Sequence, residues 1–105
     1  MITTRAERSY GALPDRERER VREALAAIAA GDRIGWKKLG PRQAALVGAS
    51  TVWATRAGRE RRLWFDAFAP GGPRAPDAPP LRLQLLEVVD RRNHRYYGDE
   101  RGGGF

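Results

Sequence analysis

Apolar residues recur at helical spacing between Asp15 and Ala30. Val21, Ala24, Leu25 and Ile28 share one face, while Arg16, Arg18, Arg20, Arg22 and Glu23 occupy the remainder. The spacing predicts a helix over 15–30. Asp15 is its expected N-cap, Glu17 and Glu19 place negative charge where the helix dipole favours it, and Gly31 closes the C-terminal end. The arginines alternate with acids here and read as a solvated face. Upstream, Ile2-Thr3-Thr4 has strand character, and residues 6–13 read as a helical turn weakened by Gly11. Residues 31–50 read as a connector punctuated by Gly35, Gly40 and Pro41. Within it, Trp36 and Leu39 are expected to dock on the core.

The pattern then changes to strands. Residues 51–56 are β-branched and aromatic, Ala57-Gly58-Arg59-Glu60 reads as a hairpin loop, and residues 61–68 alternate. Leu63, Phe65 and Ala67 fall on one face of this second strand, and Arg62, Trp64, Asp66 and Phe68 on the other. Residues 70–80 hold five prolines and two glycines, which excludes helix and ladder and predicts a long, mobile loop. Residues 81–89 form a third strand. Leu83, Leu85, Leu86, Val88 and Val89 imply burial on both faces, hence a central position. The fold class is α+β: a small, mostly antiparallel β-sheet with N-terminal helices packed on one face.

A chain of 105 residues supports one domain, read as residues 1–98, with 99–105 as a flexible Gly-rich tail. The absence of Cys excludes disulfides, zinc fingers, iron–sulfur sites and thiol catalysis, and a single His excludes a multi-histidine metal site. No metal and no cofactor is therefore expected. The longest uncharged run, 43–55, is too short to cross a bilayer, which needs about 20 apolar residues, and the N-terminal stretch has no apolar signal region. A cytoplasmic protein without a membrane partner is the expectation.

Charge alters the picture. Twenty basic residues against thirteen acidic give a net charge of +7, and only Lys37 and Lys38 are lysines. A guanidinium fork matches phosphate oxygens bidentately, so a polyanionic partner such as nucleic acid is favoured. Two clusters could carry chemistry. Arg56, Arg59, Arg61 and Arg62 surround the hairpin, relieved only by Glu60. Arg91, Arg92, Asn93, His94, Arg95, Tyr96 and Tyr97 follow the last strand and join an imidazole and two phenols to three guanidiniums. Metal-free RNA cleavage needs such a set: a base for the ribose 2′-OH, cations for the phosphorane, and an acid for the 5′-oxygen. Lys37 and Lys38 beside Trp36 form a smaller basic spot. No P-loop, GxGxxG or HExxH motif is present.

The order of motifs resembles the RelE/ParE superfamily of toxin–antitoxin toxins. YGALPDRERERVREALAAIAAGD is similar to its helix hairpin, WKKLG to the step that ends it, VWATRAGRERRLWFDAF to its two-strand signature, and LRLQLLEVVDRRNHRYYG to its last strand and basic tail. Arg56 and Arg62 fall on the two Arg positions of that signature. Val52 and Ala54 stand where some ribonuclease members carry lysines. The resemblance implies a metal-free endoribonuclease toxin that cleaves mRNA on the ribosome and is neutralised by a cognate antitoxin. Catalysis would rest on Arg56, Arg62, Arg91, His94 and Tyr97, with RNA contacts from Lys37, Lys38, Arg59, Arg61, Arg92 and Arg95. The alternatives are the non-enzymatic branch, which inhibits DNA gyrase by binding it, and an inactive basic nucleic-acid-binding module. The His–Tyr tail favours the ribonuclease, because a binder does not require a proton carrier.

Overall fold

The structure, a computed structural model, describes residues 2–74 and 78–92. Helix α1 (Thr4–Gly11) starts at Thr3, whose side chain accepts the Ala6 N–H at 3.1 Å. Helix α2 (Asp15–Ala29) has Pro14, not Asp15, at its N-cap. Pro14 adopts an extended cap conformation and its carbonyl accepts the Glu17 and Arg18 N–H groups, so Asp15 becomes the first helical residue and its carboxylate pairs with Arg18. Gly31, at φ +108, follows the C-cap.

The expected connector contains two elements. Strand β1 (Lys37–Lys38) pairs antiparallel with β2 (Trp53–Ala57), and α3 (Pro41–Leu46) lies between them. Helix α3 follows Gly40 with Pro at its start and buries Gln43 and Ala44. At six residues it is too short for a helical period to emerge from the sequence. Strands β3 (Arg61–Phe68) and β4 (Arg82–Asp90) complete an antiparallel sheet of order β1-β2-β3-β4.

Two cores sandwich this sheet. On one face, Val21 and Ile28 of α2 and Ala6 of α1 pack with Trp36, Leu63, Phe65, Leu85 and Val88, and half-buried Leu25 joins them. On the other, Ala44 of α3 packs with Leu39, Val52, Ala54, Trp64 and Leu86. Trp36 and Leu39 do dock, one into each core. Residues 62–65 of β3 are buried on both faces, so β3 is the central strand. The central position expected for β4 is not observed. It lies at the end of the strand order, and its two apolar faces arise because α1 runs along it while a register shift opposite Trp64 and Phe65 turns Leu86 into the second core. The Thr3 N–H reaches the Leu85 carbonyl at 3.0 Å, Thr3 Oγ1 reaches that of Leu86 at 3.0 Å, and Ser9 Oγ donates to Glu87. The N-terminal strand contracts to one bridge, Ile2 to Leu85.

Arg33 holds the described parts of the 70–80 loop, whose residues 75–77 lie outside the described residues. Arg33, 4% exposed, donates to the carbonyls of Pro70 (2.8 Å), Gly72 (2.6 Å) and Ala78 (2.7 and 3.0 Å), and its guanidinium lies 5.7 Å from the Trp36 ring centroid. A short 3-10 turn (Gly72–Arg74) forms within this loop.

Candidate nucleic-acid interface

The β2–β3 hairpin sets the site. Gly58, at φ +74, supplies the left-handed residue that its turn requires. Across the hairpin Arg56 lies opposite Arg62, and Arg62 lies opposite Val89 on β4. Directly opposed residues share a face, so Arg56 and Arg62 stand on the α3 side, one step past Ala54 and Trp64. Arg62 is 3% exposed. Its Nη1 donates to the carbonyls of Arg59 (3.2 Å) and Arg61 (2.9 Å), which locks the side chain under the turn. Burial pushes the Arg62 guanidinium below its ordinary pKa, Arg56 and then Arg91 push it further, and Glu60 opposes them. The Arg91 N–H donates to the Glu60 carbonyl at 2.7 Å, which brings the end of β4 against the hairpin turn. Arg91 and Arg92 are exposed and leave the strand in helical conformation.

The structure therefore joins Arg56, Arg62 and Arg91 in one electrostatic cluster, with exposed Arg59 in the adjoining turn. Arg61 is held elsewhere. It points to the α2 side, where Nη2 pairs with Glu17 at 3.2 Å and Nη1 lies 4.0 Å from Asp90. Lys37 is opposite Ala54 and shares the face of Arg56, whereas Lys38 is opposite Trp53 on the other face. His94, Arg95 and Tyr97 lie outside the described residues, as does the 99–105 segment.

Several arginines of the N-terminal helices are paired with acids. Arg18 pairs with Asp15, Arg20 with Glu23, Arg22 with Glu19 and Arg5 with Glu87, as the solvated-face reading of α2 anticipates. At the hairpin end Arg56 and Arg91 lie close enough to Arg62 to disfavour its charge. Guanidiniums crowded around a buried one suit a phosphate, whose oxygens can accept from several forks at once. Among the described residues no cluster of three or more His, Cys, Asp or Glu could hold a metal. No described helix is long and apolar enough to cross a membrane.

Two features escaped the sequence reading. Arg33 reads as one more surface arginine, and nothing in GDRIGW marks it as a buried clamp. A cleft of about 450 Å³ also opens between α2, the turn at residues 32–36 and the end of β2. It forms because β1 stops short, which depends on register rather than composition. Comparison with protein-family models, curated proteins and solved structures finds no match.

Proposed function

We propose that the chain is the toxin of a toxin–antitoxin pair, a metal-free endoribonuclease acting on mRNA held in the ribosome. What supports this reading is the meeting of Arg62 with Arg56 across the hairpin and with Arg91 at the end of β4, a crowding of guanidiniums that a phosphate would ease. Arg62 and Arg91 contact the non-bridging oxygens of the scissile phosphate, and Arg56 orients it from β2. The ribose 2′-oxygen attacks phosphorus and the 5′-oxygen leaves. His94 carries the proton and Tyr97 positions the adjacent base. A preorganised contact of the Arg62 kind contributes about 2.7–4 kcal/mol to the transition state, roughly a hundred- to a thousandfold in rate.

The second reading is a non-enzymatic inhibitor of DNA gyrase. Single-turnover cleavage on programmed ribosomes separates the two. Arg62→Ala and His94→Ala are each expected to lose about a hundredfold or more, and Tyr97→Phe less. Cleavage by both variants within about threefold of the parent rejects the ribonuclease mechanism. Inhibition of gyrase supercoiling in a parallel assay would then favour the binder.

A further inference from the structure

A groove of about 270 Å³ lies between the start of α2 and the β2–β3 turn. Arg16, Glu17 and Arg20 line it from the helix, and Ala57, Arg59, Glu60 and Arg61 from the hairpin. Its acids are already engaged: Glu17 pairs with Arg61 at 3.2 Å, and Glu60 favours the charge on Arg62. Its other cations are open to a ligand. Arg16 and Arg59 are exposed, and their side chains pair with no described residue. Arg20 has Glu23 at 3.8 Å, a surface pair between two half-exposed side chains that contributes little. Arg16 and Arg20 stand one turn apart on the same helix face, where like charges repel unless an anion lies between them. The alternation of Arg with acid along α2 therefore leaves this end of the helix positive.

We propose that this groove holds a second phosphate of the bound RNA strand, which passes over the β2–β3 turn from Arg62 on one face of the sheet to Arg16, Arg20 and Arg59 on the other. The inference rests on the RNA reading above and adds to it the path of the strand. The hairpin supplies that path. Arg61 and Arg62 are successive strand residues and point to opposite faces, Arg59 stands exposed on the turn, and the carbonyls of Arg59 and Arg61 fix Arg62 beneath it. The lining selects phosphate over a protein segment. Ala57, 2% exposed, is the one apolar residue in it, so the groove offers nothing to the body of a peptide side chain. A phosphate, in contrast, accepts from several guanidinium forks at once. Contacts of this kind position a strand without reading its bases, so the groove sets affinity and register rather than sequence preference.

The test measures binding of single-stranded RNA of about 4 and about 12 nucleotides to the full chain by fluorescence anisotropy at several salt concentrations. Only the longer strand reaches both phosphate sites. Arg16→Gln and Arg20→Gln should each weaken the longer strand by about three- to tenfold, lower its log–log salt slope by about 0.7, and leave the shorter strand within about twofold of the parent. Both residues are in solvent, so the variants should keep the parent's circular dichroism. Arg20→Lys keeps the charge and the stem that lies beside Gly58, and should bind the longer strand almost as the parent does. Arg22→Gln, on the same helix but paired with Glu19 and Tyr10, should change neither strand. Equal losses for the two lengths, or parental binding of the longer strand by both Gln variants, overturns the proposal, as does a chain that binds no RNA. Length-dependent losses on a chain that cleaves nothing on programmed ribosomes leave the strand path standing and remove the ribonuclease reading. Cleavage that needs Arg62, with RNA binding indifferent to Arg16 and Arg20, does the reverse.

Discussion

Arg62 is a costly residue for the fold. Its pKa is lowered in the folded state, so the charged form is the disfavoured one. The penalty is present in full below the folded pKa and eases only as pH rises through it, far above neutrality. Removing a neighbouring charge should therefore stabilise the protein and weaken its anion binding. Arg91→Gln is expected to raise Tm by about 1–5 °C in low salt, to lose that gain in high salt, and to bind RNA less tightly. Differential scanning fluorimetry at two ionic strengths checks this, and a lowered Tm in low salt counts against the cluster. Arg33 is the converse case, a buried guanidinium whose partners are carbonyls of the 70–80 loop. Arg33→Ala orphans those carbonyls and should cost about 2–4 kcal/mol in urea unfolding. Arg33→Lys should rescue little, because one ammonium cannot reproduce the fork.

Among the elements, the β2–β3 hairpin has the clearest link between local sequence and site. Its turn depends on Gly58, and its register sets Arg56 opposite Arg62. A Cβ at Gly58 meets only the flexible Arg20 side chain, at 3.2 Å, so the cost of Gly58→Ala lies in the backbone. That variant should lose about 1–2 kcal/mol in chemical denaturation. The hairpin was legible because alternation, the Gly turn and flanking aromatics agree in TVWATRAGRERRLWF. Helix α2 was legible for the same reason, since its apolar face is Val21, Ala24, Leu25 and Ile28 as spaced. Elements shaped by distant contacts were not. Two residues of β1 and six of α3 carry too little periodicity; β1 forms by pairing with β2, and α3 by packing on the apolar sheet face beneath it. The apolar run of β4 is ambiguous between a central strand and an edge strand covered by a helix, and only α1 decides it.

At the scale of the molecule, charge is unevenly spread. Arg18, Arg20 and Arg22 of α2 pair with acids, and the hairpin end gathers Arg56, Arg62 and Arg91. RNA binding should fall steeply with salt, each neutralised phosphate contributing about −0.7 to the log–log slope on a single strand. Arg56→Gln should reduce that slope by about one contact, whereas Arg22→Gln should leave it unchanged. Equal effects from the two variants contradict a localised interface. The separation of Arg62, with Trp64, from Arg61, with Leu63, followed from strand alternation, whereas the place of Arg56 opposite Arg62 is set by the hairpin register. Which arginines are neutralised did not, because Arg61 finds Glu17 only once α2 crosses the sheet.

The bonds from Thr3 to Leu85 and Leu86, and from Ser9 to Glu87, couple the start of the chain to its last strand. A ribosome makes the first of these partners well before the second. Until β4 emerges, α1 has no strand to lie along, and the hairpin carries Arg56 and Arg62 without Arg91 beside them. Contacts so distant in sequence form late and together. Vectorial synthesis thus orders the assembly: the hairpin leaves the ribosome without its third guanidinium beside it, and the cluster of Arg56, Arg62 and Arg91 comes together only after β4 has been made.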